Sequence, residues 1–322
     1  MPRILFVKTT SLGDVVHNCP AVTDIARQMP DTVIDWVVEE PFAGVAELHA
    51  SVRRVIPVAI RRWRGALLAP SIWSEMASFR AALRGERYDA IIDSQGLIKS
   101  ALVASLAFGR RHGFDRASTR EPFAARFYDE RHPVALDLHA VERNRRLAAL
   151  ALGYRLEGPC DFGLQCAGDL PVPTRPPYAM LLTMTSRADK LWPEERWQAL
   201  GAALAQRGFQ CLLPWGSEEE RERCARLAAA IPGAEVPRRM TIGELARLAR
   251  DAGCVAGVDT GLAHLAAACG VPVVGIYCGS DPALTGLYGS PRVRNLGGAG
   301  RPPRAEEVLG ALDELRSLEQ PR

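Results

Sequence analysis

Short apolar runs alternate with amphipathic segments through the first half of the chain. Apolar residues within the segment 3–8 predict a buried strand, and the turn TTSLGD leads from it into an amphipathic helix over about 14–28. The runs TVIDWVVEE, RRVIPVAI and YDAIIDSQG predict further strands, and another helix is predicted over about 97–108. Strands that alternate with helices in this way predict a parallel sheet that is covered on both faces.

The pattern stops in a proline-rich stretch and then begins again. Between Pro159 and Pro177 no period is visible, which is typical of an interdomain linker. Beyond it, the runs YAMLLTM, FQCLLPW, CVAGVD and VPVVGIY predict strands separated by helices, with a last helix over 305–317. We therefore expect an α/β protein with two Rossmann-like domains, 1–158 and 159–322, which face each other across a central cleft. In one arrangement, the last helix packs back on the first domain. Ligands of such open sheets bind at the carboxyl ends of the strands.

The composition is that of an ordinary globular protein. Of the 322 residues, 48% are hydrophobic and 24% are charged, which excludes a disordered chain or a collagen-like repeat. No run approaches the roughly 18 apolar residues of a membrane span, and Lys8 interrupts the first apolar run too early for a signal peptide. We therefore expect a cytoplasmic protein. The eight cysteines include no C-x-x-C pair and are expected to be reduced, so the sequence implies no metal site.

Basic residues are concentrated in the first half of the chain. Over residues 53–146 there are 18 Lys and Arg against 10 Asp and Glu, although the whole chain carries only +3. This surplus predicts a surface for an anionic partner, with a solvated basic face as the alternative. Nucleic acid is not favoured as the partner, because no recognisable nucleic-acid motif accompanies the charge. The basic residues that we single out are Arg61, Arg62 and Arg64 around Trp63, then Lys99, Arg111, Arg116, Arg120, Arg143, Arg145 and Arg146.

Two loops of the second half have the composition of anion sites. In VDTGLAHLAAACG a strand ends at Asp259, and a helix begins around Thr260 and Gly261, where unshielded N–H groups and the helix dipole attract an anion. His264 lies about one turn further on, and the alternative is an ordinary helix cap with a core histidine.

The other loop is TMTSRADKLWPEERW, in which Thr185 and Ser186 follow a strand and Lys190 precedes a helix. An ammonium group beside two hydroxyls suits a diphosphate, and a solvated loop lysine is the alternative. No Walker A motif is present.

The first turn, KTTSLGD, ends in a carboxylate at the start of a predicted helix. Asp14 is expected either to cap that helix or to act as a general base facing the cleft, since it follows the first strand. Gly13 is the only glycine of this turn, so the G-x-G-x-x-G fingerprint of a dinucleotide site is missing and hydride transfer is disfavoured.

Several segments together resemble the bacterial lipopolysaccharide heptosyltransferase I family. They are RILFVKTTSLGDVVHNCPAVTDI, YDAIIDSQGLIKSALVA, KLWPEERW, LPWGSEEER and DTGLAHLAAACG, in order across both halves up to about Tyr288. The resemblance implies a GT-B fold and an inverting transfer of L-glycero-D-manno-heptose, without metal or cofactor, from ADP-heptose to the first Kdo sugar of Kdo2-lipid A. It also implies a peripheral location on the cytoplasmic face of the inner membrane.

The resemblance implies roles for individual residues. Asp14 corresponds to the catalytic base, and Lys190 faces the donor diphosphate beside Thr185 and Ser186, where serine replaces an expected threonine. The other positions implied for the donor are Glu220 at the ribose, with Glu218 and Glu219 as neighbouring choices, Met240 at the nucleotide base, and Asp259, Thr260, Gly261 and His264 at the diphosphate and sugar. The positions implied for the acidic acceptor are Arg61, Arg62, Arg64, Lys99 and Arg120.

Other functions remain open at this point. A heptosyltransferase of the same family acting on a later core acceptor would share these motifs. A nucleotide-sugar epimerase shares the architecture, but it needs no large basic acceptor surface. A two-lobed binding module without activity would leave Asp14 as a helix cap.

Overall fold

Parallel β-sheets form the centre of both halves of the chain. A computed structural model describes residues 1–66, 69–175 and 177–318. The chain divides into two units, Met1–Gln165 and Cys166–Arg322, each of which has its own sheet with parallel pairing throughout its strands. Among the helices that the structure describes, none is long and apolar enough to cross a membrane.

The first unit contains a six-stranded sheet in the order β3-β2-β1-β4-β5-β6. Its strands are β1 (Arg3–Val7), β2 (Val33–Glu39), β3 (Val52–Val58), β4 (Arg87–Asp93), β5 (Phe108–Phe114) and β6 (Glu130–His132). Its helices are α1 (Leu12–Val16), α2 (Cys19–Gln28), α3 (Ala43–Glu47), α4 (Ile60–Gly65), α5 (Pro70–Arg84), α6 (Ile98–Ala104) and α7 (Ala140–Leu152).

The second unit contains a five-stranded sheet in the order β11-β10-β9-β7-β8. Its strands are β7 (Tyr178–Leu182), β8 (Gln210–Leu212), β9 (Cys254–Val258), β10 (Val273–Tyr277) and β11 (Val293–Gly297). Its helices are α8 (Glu194–Gln206), α9 (Glu218–Ala230), α10 (Ile242–Arg250), α11 (Gly261–Ala268) and α12 (Ala305–Ser317).

The strand order of each sheet reverses at one place. In the first unit the chain builds outward from β1 to β3 and then continues from β4 in the opposite direction, so β1 and β4 are neighbours. In the second unit β7 and β9 are neighbours for the same reason. At such a switch point, the loops that follow the two adjacent strands diverge and leave a crevice for a ligand.

Two of the helices predicted from the sequence have other bounds in the structure. The helix predicted over 14–28 is two helices, α1 and α2, because Pro20 lies in the first turn of α2, where its missing N–H costs no hydrogen bond. The helix predicted over 97–108 ends at Ala104, because the chain enters β5 at Phe108. A Cβ atom on Gly109 would lie 2.3 Å from the carbonyl oxygen of Tyr88, so glycine allows this close strand pairing.

The boundary between the units falls after Gln165 rather than after the predicted residue 158. The intervening segment is held by the first unit, since Ala50 N–H donates to the Gly163 carbonyl at 3.1 Å and Gln165 N–H donates to the Leu48 carbonyl at 2.8 Å. The apolar side of the last helix, which includes Val308 and Leu312, lies in the core of the second unit. Packing of this helix on the first domain stays a prediction.

We predict that Gly113→Ala destabilises the first unit by about 1–3 kcal/mol, because overpacking a rigid core costs that much. A Cβ atom on Gly113 would lie 2.3 Å from the ring of Tyr128, and this ring is buried and held by a hydrogen bond of 2.8 Å to Asp93 Oδ2. Urea unfolding would measure the change.

The matched control is Gly310→Ala in α12, where no neighbouring atom of the described residues lies within 4 Å of the added Cβ atom. Replacing an exposed helical glycine should stabilise the protein by up to about 1 kcal/mol. Equal unfolding midpoints for Gly113→Ala and the natural protein would contradict the packing argument.

Candidate active site

Asp14 lies at the switch point of the first sheet, in the first turn of α1. It is not the N-cap that one reading of the sequence predicted. Ser11 occupies that position, and its backbone N–H and its hydroxyl donate to Asp14 Oδ2 at 2.9 and 3.1 Å. Asp14 is the third residue of the helix, and its side chain accepts from the N-cap residue, as in a capping box. These two hydrogen bonds fix the direction of the carboxylate.

Two cations keep this carboxylate ionised. Arg120 Nη2 donates to the other oxygen, Asp14 Oδ1, at 2.9 Å. Burial opposes ionisation, but the charges of Lys8 and Arg120 and the hydrogen bonds from Ser11 outweigh it and hold the pKa of Asp14 below its ordinary value. Of the five basic residues predicted for the acceptor, Arg120 is thus the one bonded to the candidate base.

Lys8 is a functional candidate that the sequence assigned to no site. It directly follows β1, is buried, and donates from Nζ to the Ser94 carbonyl at 2.8 Å and to Asn144 Oδ1 at 3.5 Å. Burial lowers the pKa of its ammonium group to about 8, and the negative charge of Asp14 limits the fall. The available signal was its rarity, since only three lysines accompany 37 arginines in a chain with 40 basic residues.

The loops after β1 and β4 are tied to each other. Gln95 Oε1 accepts from the backbone N–H groups of Thr9 and Thr10 at 3.1 Å each, and Lys99 Nζ donates to Thr10 Oγ1 at 3.1 Å. Lys99, a predicted acceptor residue, therefore lies at the same switch point as Asp14. These hydrogen bonds hold the loop after β1 against the loop after β4.

The predicted arginine cluster lies farther along the sheet edge, in α4 after β3. β3 is two strands from β1, which is roughly 10 Å at the usual strand spacing. Arg62 is bonded to Glu40 at 2.9 Å and to Glu75 at 2.8 Å, so its charge is already balanced. Arg61 lies over the Phe42 ring, and Arg64 is exposed. The structure therefore separates Lys99 and Arg120, beside Asp14, from Arg61, Arg62 and Arg64.

The second switch point holds a lysine and an aspartate in direct contact. Lys190, in a short turn after β7, donates from Nζ to Asp259 Oδ2 at 2.6 Å, and Ser280 Oγ donates to the same oxygen at 2.6 Å. Burial opposes ionisation, but the bonds from Lys190 and Ser280 and the Lys190 charge lower the pKa of Asp259. Ser280 was missed by sequence reasoning, although it follows β10 just as Asp259 follows β9.

The other predicted residues of this site lie around the pair. Thr185 Oγ1 donates to the Asp259 carbonyl at 3.0 Å, whereas Ser186 is exposed. Thr260 is the N-cap of α11, Gly261 is the first residue of that helix, and His264 is buried one turn later. Loops from adjacent strands thus bring together a cation, hydroxyl groups and a helix N-terminus, which is the composition of an anion site.

Glu220 lies in the first turn of α9, and Met240 lies two residues before α10. Glu220 Oε2 accepts from the Gly216 N–H at 2.6 Å, and its backbone N–H donates to Ser217 Oγ at 3.3 Å, so it closes a capping box at the start of α9. Met240 is half-buried against the core on the α10 side of the sheet. Among the described residues, no group of three or more His, Cys, Asp or Glu side chains is placed to hold a metal ion.

Comparison with known proteins gives one consistent result. The family model for glycosyltransferase family 9 (heptosyltransferase) matches residues 76–307. Lipopolysaccharide heptosyltransferase 1 of Escherichia coli strain K12 is 47% identical over 291 residues, which are 89% of this chain and 91% of the relative.

Two solved structures agree with that match. E. coli heptosyltransferase WaaC with ADP has a TM-score of 0.90 and 42% identity, covering 97% of this chain and 99% of the other. The same enzyme with ADP-2-deoxy-2-fluoro heptose has a TM-score of 0.86 at 42% identity, covering 97% of this chain and 98% of the other.

We predict that Lys8→Met raises the pKa of the Asp14 carboxyl group. Removing a nearby cation disfavours the charged form of an acid, so its titration must move to higher pH. Carbon-13 NMR of aspartate side-chain carboxyls would measure the midpoint. Arg120→Gln should move it in the same direction, and an unchanged midpoint in both variants would contradict the electrostatic account.

Proposed function

This chain belongs to glycosyltransferase family 9, the heptosyltransferases, and we propose that it transfers L-glycero-D-manno-heptose from ADP-heptose to the first Kdo of Kdo2-lipid A. The reaction builds the inner core of lipopolysaccharide. The observation that carries the proposal is Asp14, a directed carboxylate held ionised at the switch point of the first sheet.

Asp14 acts as the general base. Its carboxylate accepts the proton of the Kdo hydroxyl while the hydroxyl oxygen attacks the anomeric carbon of the heptose. The bond from that carbon to the diphosphate oxygen breaks, and ADP leaves with the electron pair. Because the attack comes from the face opposite the leaving group, the configuration at the anomeric carbon is inverted.

Lys190 stabilises the departing diphosphate. An ammonium group has three N–H donors, so Lys190 can keep its bond to Asp259 while another donor meets a phosphate oxygen. Gly261, at the start of α11, leaves backbone N–H groups open to the same charge. These interactions strengthen as negative charge develops on ADP, which is what lowers the barrier.

The remaining residues are proposed to hold the substrates. Asp259, Thr260, His264, Thr185 and Ser186 surround the diphosphate and sugar, Glu220 meets the ribose and Met240 the base. Lys99, Arg120, Arg61, Arg62 and Arg64 orient the acidic acceptor. Because the acceptor is a lipid, we propose that the enzyme works peripherally on the cytoplasmic face of the inner membrane, without metal or cofactor.

The decisive assay offers the purified enzyme ADP-heptose with Kdo2-lipid A, and separately with the same acceptor already bearing one heptose. Transfer to the first acceptor only is expected. Transfer only to the second would indicate a heptosyltransferase that acts later in the core. Conversion of ADP-heptose without any acceptor would indicate an epimerase.

Asp14→Asn should lower turnover by about 100-fold or more, the order of effect expected when a general base is removed. The amide keeps the size of the side chain and one oxygen to accept from Ser11, so the helix start should persist. Donor affinity, measured by calorimetry, should hardly change. Near-normal turnover would leave Asp14 with a structural role only, in the capping box of α1.

Lys190→Ala should lower turnover and also weaken ADP binding, because the ammonium group acts in both the ground state and the transition state. The matched control is Arg187→Ala, an exposed cation of the same loop that is paired with Asp189 at 3.0 Å. A loss of ADP affinity with intact turnover in Lys190→Ala would contradict the role in the transition state.

A further inference from the structure

An exposed basic and aromatic surface lies on β6 and on the connection that leads to it from β5. We call it the Phe123 surface, and it is an open depression lined by Arg116, Pro122, Phe123, Ala125, Arg126 and Arg131. No residue of this set has been assigned a role in the reaction described above.

The arginines of the Phe123 surface have no carboxylate partner among the described residues. Arg126 lies over the Phe123 ring at 4.9 Å, and Arg131 Nε donates to the Ala125 carbonyl at 2.8 Å. Of the acids on the same connection, Asp129 pairs with Arg111 at 2.7 Å, and Asp115 accepts from the Ser118 N–H at 2.8 Å and from the Ser118 hydroxyl. The neighbouring carboxylates Glu130 and Glu121 bind Arg110 and the Ile98 N–H. The depression therefore presents three arginines that have no ion-pair partner among the described residues.

A large aromatic group projects from the same surface. The side chain of Phe123 is 50% exposed. Large apolar side chains beside unpaired arginines are typical of surfaces that meet a lipid interface, where the apolar groups enter the headgroup layer and the cations bind phosphates.

The Phe123 surface is rigidly attached to the candidate base. Thr119 Oγ1 and the Glu121 N–H both donate to the Gly96 carbonyl at 3.0 Å. Ala124 and Ala125 are buried against α6. Arg120, which bonds Asp14, is only three residues from Phe123, a separation of roughly 10 Å even in an extended chain.

We propose that the Phe123 surface docks the enzyme on the anionic phospholipid bilayer that holds its lipid acceptor. The inference rests on the proposed function, since a membrane-borne acceptor is what makes such docking useful. Docking there holds Asp14 near the headgroup layer, where the acceptor sugar projects.

The first unit also supplies a matched control surface. Phe108 is 49% exposed and has Arg84 over its ring at 4.8 Å. The pair therefore has the same cation–aromatic geometry as Arg126 and Phe123. Phe108 lies at the amino end of β5, whereas Asp14 and Lys99 follow the carboxyl ends of β1 and β4. The depression beside it is lined by Asp89 as well as by Arg87 and Arg110.

The test measures flotation with vesicles made of equal parts phosphatidylcholine and phosphatidylglycerol. Arg116→Gln with Arg126→Gln should weaken binding at least 10-fold, since each basic residue near such a surface contributes roughly a factor of five. Phe123→Ser alone should also weaken it, and Arg84→Gln with Phe108→Ser should not. Binding of the natural protein should fall with salt and be weak on pure phosphatidylcholine.

Transfer assays then separate docking from recognition of the acceptor itself. The Arg116→Gln, Arg126→Gln variant should lose transfer to Kdo2-lipid A in these vesicles but keep it with the same acceptor dispersed in detergent. Equal loss in both would overturn the proposal, because the surface would then bind the acceptor headgroup. Unchanged vesicle binding in this variant and in Phe123→Ser, or equal weakening in the control, would also overturn it.

Failure of the proposed function has a different signature. In that case the natural protein transfers no heptose in either assay, while its binding to the vesicles still depends on Arg116, Arg126 and Phe123. That result would support docking through the Phe123 surface and would reject Kdo2-lipid A as the acceptor.

Discussion

Each half of this protein has a carboxylate at the point where the strand order of its parallel sheet reverses, and the loops around that point depend on the cations that keep the carboxylate ionised. In the second unit, the Lys190 ammonium and the Ser280 hydroxyl share one oxygen of Asp259. In the first, Arg120 and the start of α1 each hold one oxygen of Asp14, and the buried charge of Lys8 supports them. A buried carboxylate without such partners would be protonated or would destabilise the fold.

The sheets explain why each site is assembled from distant parts of the sequence. Parallel strands place all their carboxyl ends at one edge, and the switch point separates the loops of the two central strands. Lys190 and Asp259 are 69 residues apart and in contact, and Arg120 and Asp14 are 106 apart. The same scaffold therefore serves different tasks, which are proposed to be proton removal in one unit and diphosphate binding in the other.

Much of this organisation could be predicted from periodicity and loop chemistry. The strands that carry the sites, and the pairing of Asp259 with an anion-binding helix start, follow from local sequence. The contact between Asp14 and Arg120 does not, because it depends on strand order, whereas the bond from Ser11 is local. Nothing near Lys8 in sequence indicates that Ser94 and Asn144 enclose it, and nothing near Arg62 indicates that Glu75 neutralises it. Pro20 indicates that the helix predicted over 14–28 is interrupted. The apolar periodicity continues on both sides of Pro20, so a single helix was predicted.

The central claim is that the donor nucleotide binds at the second switch point and the first switch point serves the acceptor. Hydrogen exchange of backbone amides with and without ADP tests it most directly, because bound ligand protects the amides it contacts. The account predicts protection over residues 183–190, 259–264 and 278–280, and unchanged exchange over 8–14 and 94–99. Protection confined to 8–14 and 94–99 would contradict it.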